Sequence, residues 1–462
     1  MKPQLALLFC FVLCLSLLGH SQVESLKRRA SLGIHLEEMT DSLAKAHNVG
    51  QLQGVYIPHV FSEATADELG IEAGDVLIEV NEKEVNSIQE VLSLISNLRE
   101  DDRISLRYIR DGKTKTVKGK AIGRPKETSE YADVYYEQVV YEGNQLRSIL
   151  HLPKGKENPP VVFYIQGYMC QSVELAAVPD ITIRRLIDDW VKSGYAVYRV
   201  EKPGMGDSDC EKGCYDLDFN EETEAFRQAY LTLQKDSRID SSNIFLFGHS
   251  IGGLIAPVLA PELNPKGVIT YGTAVNSWFE YMQELTRVQG EMFNLPYAEI
   301  ERDIRNSTPF WYALFVDQQS NEEILQNKTF YEMLEREGIL EDFKNGQFMD
   351  RHYTYWSTIH HIEFVNEWSK VKSHVLALHG EYDIQALNAN HIYTIERAVN
   401  SANPDHATAL VIPKADHGFV EFNSMEENIQ TLNAGLYRKF LMENYNSEVA
   451  KKTIEWMDGI MK

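Results

Sequence analysis

The pentapeptide Gly248-His249-Ser250-Ile251-Gly252 sets a serine hydroxyl between two glycines that let the backbone turn sharply. A serine hydroxyl is a poor nucleophile at neutral pH. It needs a base within hydrogen-bond reach and a carboxylate that holds the base in one tautomer. Three histidines lie beyond Asp383: His391 in a helical pattern, His406 just ahead of a strand-like run, and His417 in the loop Lys414-Ala415-Asp416-His417-Gly418, where a base would have to be. Asp383 closes a strand-and-turn run over residues 375–383 and is the best-placed orienting acid, with Glu381 and Asp416 as rivals. Such a set performs acyl transfer. The hydroxyl attacks an acyl carbon, the imidazole takes and returns the proton, and the carboxylate steadies the imidazole.

Those side chains must be held by elements that end close together. Short, nearly continuous apolar runs at 161–165, 196–200, 244–247, 267–271, 375–379 and 409–412 read as buried parallel strands, and helical patterns lie between them, including 181–192 and 221–234. Alternation of this kind predicts a doubly wound α/β sheet. Ser250 follows the strand at 243–247 and precedes the small, apolar stretch 253–256, which starts a helix that Pro257 should kink. The interval 276–370 is too long for one crossover and holds 18 aromatic residues in 95 positions, which predicts a helical cap insertion. Trp278, Phe279, Tyr281, Phe310, Trp311 and Tyr312 are candidates to line an apolar pocket or to fill the cap's own core.

Over residues 131 to about 445 the three motifs and their flanking strands resemble the α/β-hydrolase family, in which nucleophile, acid and histidine follow in that order. The resemblance implies Ser250 as nucleophile, His417 as base and Asp383 as its orienting acid. It implies an oxyanion hole from the backbone N–H of Ile251 and, in Gln166-Gly167-Tyr168, of Tyr168, with Met169 as the alternative. Many members carry His-Gly where Gln166-Gly167 stands, a change that leaves the backbone donor intact. The turn Pro203-Gly204-Met205-Gly206-Asp207-Ser208 invites a dinucleotide-binding reading, but Asp209 stands where a third glycine is needed. The family often has a similar turn there, shaping the pocket rim. Cys170 and Cys214 flank adjacent strand-end loops, so a bridge between them would stiffen that rim.

Upstream, residues 31–122 alternate strand-like runs (32–36, 54–60, 76–80, 104–110, 113–118) with helical patterns near 64–69 and 87–98, a small α+β module. The phrase Gly70-Ile71-Glu72-Ala73-Gly74-Asp75-Val76-Leu77-Ile78-Glu79-Val80-Asn81 and the later Arg110-Asp111-Gly112 resemble the PDZ domains of HtrA-type exported proteases. The resemblance implies capture of a peptide C-terminus beside the loop Leu32-Gly33-Ile34; a packing module that binds no peptide is the alternative. A polar stretch at 123–130 reads as the linker to the hydrolase-like domain, residues 131–462.

Composition narrows the partners. A net charge of −23 repels phosphate backbones and anionic headgroups, which excludes a nucleic-acid-binding role. Lys2, the apolar run 5–18 and the small residues Gly19 and Ser21 read as an export signal over residues 1–21, too short to span a bilayer, so a periplasmic or secreted product without a stable membrane anchor is expected. Cys170, Cys210 and Cys214 would remain after cleavage, enough for one bridge and an odd thiol. His352, His360 and His361 lack metal-ligand spacing, so neither a metal nor a cofactor is expected. The reading is an exported serine hydrolase acting on carboxylic esters of a small-molecule acyl substrate. A peptidase of the prolyl-oligopeptidase or aminopeptidase type is the first alternative, and a non-catalytic PDZ-bearing scaffold the second.

Overall fold

Residues 26–47, 49 and 54–462 are described by the computed structural model; the export-signal reading over residues 1–21 falls outside them. The first sheet is antiparallel. Its strands are β1 (Ile34–Glu38), β2 (Val55–Val60), β3 (Val76–Val80), β4 (Lys83–Glu84), β5 (Arg103–Arg110) and β6 (Lys113–Lys120), in the order β1-β2-β3-β5-β6 with β4 paired to β3. Val55, Ile57, Leu77, Val80 and Leu106 point into one core, which Val91 of the helix Ile88–Ser96 closes. Ser87 caps that helix by accepting from Glu90 N–H at 3.3 Å. The helix Asp41–Ala46, absent from the sequence reading, is too short to show a period.

The second sheet carries β7 (Ala132–Tyr141), β8 (Asn144–Pro153), β9 (Val161–Ile165), β10 (Ala196–Val200), β11 (Ile244–His249), β12 (Gly267–Tyr271), β15 (His374–Gly380) and β16 (Ala407–Ile412). The remaining two strands, β13 (Gln347–Phe348) and β14 (Arg351–His352), form a small ribbon within the otherwise helical insertion. The order is β16-β15-β12-β11-β9-β10-β8-β7; neighbours from β16 to β10 run parallel, and β8 is antiparallel to both β10 and β7. The β7–β8 hairpin is an addition to the predicted strands. Its turn, Glu142-Gly143, has both φ values positive, as a type I′ two-residue hairpin requires.

Both faces of the parallel strands are covered, which is why those strands are mostly apolar, with buried Arg199 in β10 a paired exception. On one face Leu186 and Trp190 of the helix Thr182–Lys192 meet Val449 and Met457 of Glu448–Met461. On the other, the helices Phe219–Leu233, Gly252–Leu263 and Asn390–Ala402 contribute Phe226, Leu254 and Ile395 to a core that runs on into the insertion.

The segment 123–130, read as a linker, is more than a tether. Glu127 is buried and meets Arg184, Arg199 and His151 while accepting from Leu175 N–H at 2.6 Å. Arg28, ahead of the first sheet, reaches the second domain: it pairs with Asp207 and Glu174 and lies 4.6 Å above the Tyr136 ring. Thus the Gly-rich turn after β10 anchors the N-terminal segment, with Arg29 N–H also donating to Asp207 at 2.7 Å.

Candidate active site

Ser250 directly follows β11 and sits at φ +56°, a left-handed conformation rare for a side-chain-bearing residue. The turn is held because Ser250 N–H donates to Tyr271 O on the neighbouring strand at 2.9 Å. The helix Gly252–Leu263 starts against β9: a methyl on Gly252 would stand 2.2 Å from Ile165 O. The serine hydroxyl is thereby carried to the C-terminal edge of the parallel strands and to the positive end of that helix.

Asp383 lies three residues beyond β15, and His417 five beyond β16. His417 Nδ1 and Asp383 Oδ2 are 2.8 Å apart, while Asp383 Oδ1 accepts from the N–H groups of Gln385 and Ala386 at 2.8 and 2.9 Å. Burial disfavours the Asp383 charge, yet the imidazole and the N–H donors outweigh it and bring the carboxyl down to about 2. Burial likewise pulls His417 down, and the charge and hydrogen bond of Asp383 overcome it, leaving the imidazole above its ordinary value. The pair fits closely around β12: a methyl on Gly272, itself at φ +64°, would stand 2.8 Å from both Asp383 Oδ2 and His417 Nδ1.

The loop carrying His417 is fixed from behind. His249 Nε2 is 2.9 Å from His417 O, and its Nδ1 is 3.2 Å from Tyr164 Oη. An Nε2–H that donates to the carbonyl leaves Nδ1 to accept from the phenol, so the partners fix the tautomer. Burial, reinforced by His417, pushes His249 down to about 3 and keeps it neutral. The rivals of Asp383 are occupied elsewhere: Glu381 accepts from Lys414 N–H at 2.8 Å, and Asp416 accepts from Gly418 N–H, Val420 N–H and the Tyr437 hydroxyl.

Ser250 and His417 line one cavity of about 590 Å³, and among the described residues no hydrogen bond joins the hydroxyl to the imidazole. Contacts of this kind tighten when substrate closes around them. The N–H groups of Ile251 and Tyr168 have no protein acceptor among the described residues. Trp278, Tyr281 and Trp356 supply the aromatic wall, with Trp278 and Trp356 stacked at 4.5 Å. The six aromatics proposed for the pocket therefore divide. Phe310 and Trp311 fill the core of the insertion, Tyr312 is exposed, and Phe279 packs at the edge, because a helix can turn only one face to the cavity. Cys170 and Cys214 form a disulfide across the rim with Cα atoms 5.7 Å apart, and Cys210 is free.

In the first domain, Ile34 lines a groove of about 330 Å³ with Leu36, Ile88 and Leu92, whereas Leu32 turns into the core. Gly33 N–H meets Ser31 Oγ at 3.2 Å, so one backbone donor of the expected carboxylate loop is already engaged.

The sequence reading missed Lys202, Glu222 and Arg351, all fully buried behind the Gln166-Gly167-Tyr168 loop. Lys202 lies two residues beyond a strand, Glu222 in the first turn of a helix and Arg351 in the insertion, so no spacing links them. No local signal was available either: Lys202 follows Glu201, Glu222 stands between Glu221 and Thr223, and Arg351 between Asp350 and His352, so each looks like part of a solvated polar stretch.

Comparison with known proteins places both regions. The family described as serine aminopeptidase, S33, matches residues 182–421, more than half of the chain, and the PDZ domain family matches residues 30–120. Similar curated proteins include a probable periplasmic serine protease do/HhoA-like of Haemophilus influenzae, 38% identical over 93 residues, and periplasmic serine endoprotease DegP of Salmonella typhimurium, 33% identical over 90. Each match spans 20% of this chain and only about a fifth of the relative, 20% and 19% respectively. Among solved structures, Est1E from Butyrivibrio proteoclasticus with ferulic acid bound has 17% identity and a TM-score of 0.40, over 65% of this chain and 98% of that one. The Pyrococcus furiosus esterase Pf2001 has 13% identity and a TM-score of 0.41, over 72% and 97%. With the sheet order, the helices on both faces and the family match in agreement, the chain belongs to the serine aminopeptidase S33 family, an α/β-hydrolase-fold serine hydrolase preceded by a PDZ domain.

Proposed function

We propose that the protein is an exported hydrolase of carboxylic esters working through an acyl-enzyme on Ser250. His417 takes the hydroxyl proton as Ser250 attacks the acyl carbon, Asp383 holds the resulting imidazolium, and the N–H groups of Ile251 and Tyr168 receive the oxyanion. The proton returns to the departing alcohol. Water then repeats the sequence on the acyl-enzyme and releases the acid. The observation that carries this reading is the 2.8 Å bond from His417 to Asp383 in the same cavity as a serine held at φ +56°.

The family description favours a second reading, an aminopeptidase. That activity needs a carboxylate to receive the substrate's ammonium group. Among the described lining residues Asp416 is the one carboxylate, and its oxygens already serve two N–H groups and a phenol. The mostly aromatic and aliphatic wall suits an apolar acyl group instead. Purified protein offered p-nitrophenyl acyl esters and chromogenic aminoacyl and dipeptidyl amides should turn over the esters; turnover of amides alone would reverse the preference. The Cys170–Cys214 bridge and the periplasmic placement in the names of the PDZ-matching relatives support export. The groove beside Ile34 supports a peptide C-terminus as partner of the PDZ domain.

A further inference from the structure

The acyl-enzyme mechanism uses the N–H of Tyr168 but leaves unexplained why three charged side chains are buried immediately behind it. Lys202 follows β10, Glu222 lies in the helix Phe219–Leu233, and Arg351 begins β14 in the insertion; none of the three side chains is exposed. Ion pairs with no water around them are weak evidence for stability, because desolvation offsets the attraction. Their geometry points elsewhere. Lys202 Nζ donates to Gly167 O at 2.6 Å, and Arg351 Nη1 donates to Tyr168 O at 2.7 Å. Glu222 joins the two cations, 3.1 Å from Lys202 Nζ and 2.7 Å from Arg351 Nη2, and also accepts from the Tyr355 hydroxyl at 3.1 Å.

In a trans peptide the C=O of one residue and the N–H of the next point in opposite directions, and the described chain has no cis bond. Fixing Gly167 O on Lys202 therefore turns the Tyr168 N–H the other way. Gly167 itself borders the nucleophile: a methyl there would stand 3.5 Å from Ser250 Oγ. A cation on the carbonyl also polarises the peptide, which makes its N–H a stronger donor. The second peptide is held in the same manner from the insertion by Arg351.

We propose that Lys202 and Arg351, joined by Glu222, are positioning residues that aim the Tyr168 N–H at the tetrahedral oxyanion, and that Arg351 ties this half of the oxyanion hole to the seating of the cap. The inference rests on the acyl-enzyme reading. Burial pulls Lys202 down to about 8, against the opposing pull of Glu222. Glu222, Arg351 and Tyr355 are the titratable and charged groups around it. Loss of the Lys202 proton therefore weakens the aim on the alkaline side.

The test uses full-length protein with Lys202→Met, Arg351→Gln, the charge-keeping Lys202→Arg and Arg351→Lys, and Ser250→Ala. On a p-nitrophenyl ester, Lys202→Met and Arg351→Gln should lower kcat by about 10- to 100-fold with KM within about threefold, as expected for a misplaced oxyanion donor. Affinity for an alkyl trifluoromethyl ketone, which forms a tetrahedral adduct, should fall by the same factor as kcat/KM. Binding of the product acid should stay unchanged, as should the far-UV circular dichroism. The charge-keeping variants should recover part of kcat, and the wild-type alkaline limb near pH 8 should be missing from Lys202→Arg. If Lys202→Met does not fold, Arg351→Gln reads the same quantities from the cap side. Wild-type kcat in both neutral variants, a matching loss of product affinity, or an alkaline limb that is absent or persists in Lys202→Arg would overturn the inference. Ser250→Ala separates the failures. Loss of turnover there beside intact kcat in the neutral variants sinks only the positioning role, whereas turnover retained in Ser250→Ala sinks the acyl-enzyme reading itself.

Discussion

At the scale of single residues, the site is a set of opposed environments. Asp383 is buried but doubly supplied with N–H donors, so it stays charged; His417 is buried beside that charge, so it holds a proton more readily than a free imidazole. A base must be neutral to accept a proton, so kcat/KM should rise with pH through a midpoint above the ordinary value of about 6.5. In Asp383→Asn the opposing charge is gone and burial prevails, so the midpoint should drop below about 6.5, with kcat lowered about 10⁴-fold. A pH–rate series on both proteins checks the shift, and an unmoved midpoint would contradict the pairing. The sign for stability is the reverse of that for rate. A raised histidine stabilises the folded state at pH below about 6.5, and that contribution is lost as pH rises through the raised value.

At the scale of elements, the sequence was most legible where one physical rule acted alone. Val161–Ile165, Ala196–Val200 and Gly267–Tyr271 fall at the predicted positions because burial on both faces makes a strand mostly apolar, and a polar exception such as Arg199 needs a partner of its own. The β7–β8 hairpin was illegible for the opposite reason: β7 is mostly half-buried, and Asp133, Glu137 and Gln138 interrupt its apolar alternation. Asp383 and His417 could be picked out because each stands in the loop just after a recognisable strand. The Lys202–Glu222–Arg351 group was not, since nothing local ties a strand end to a helix start and a ribbon in the cap. Glu127 was hidden in the same way. A polar stretch with no period reads as a tether, yet its carboxylate is the hub for Arg184 and Arg199. Its neighbours hold it below the usual carboxylate range despite burial. Glu127→Ala leaves those guanidinium groups without their partner in the interior and should destabilise the hydrolase domain by about 3–5 kcal/mol. Chemical denaturation would measure it; a loss under about 1 kcal/mol would mean water reaches the cluster.

At the scale of the whole molecule, two domains with separate cores are joined by a charged latch. Arg28 brings the N-terminal segment onto Asp207 and Glu174, and Glu174 N–H donates at 3.1 Å to Ser172 Oγ in the wall of the cavity. The rim of the same cavity is crossed by the Cys170–Cys214 bridge, which closes a loop of sequence separation 44. Restricting the unfolded chain over such a loop stabilises by about 4 kcal/mol, so reduction should lower the unfolding midpoint in calorimetry; an unchanged midpoint would mean the loop keeps its shape without the bond. The α/β order and the PDZ module were legible in the chain from motifs, while the latch was not, because Arg28 and Asp207 lie 179 residues apart and no local pattern links them.

All of these scales depend on Ser250 being the group that reacts. Wild-type protein and Ser250→Ala, both shown folded by circular dichroism, should be treated with a fluorophosphonate probe and followed by intact-mass spectrometry. One adduct on the wild type, located by peptide mapping at Ser250 and absent from the alanine variant, is the predicted result; labelling that persists in Ser250→Ala, or no labelling of the wild type, would contradict it.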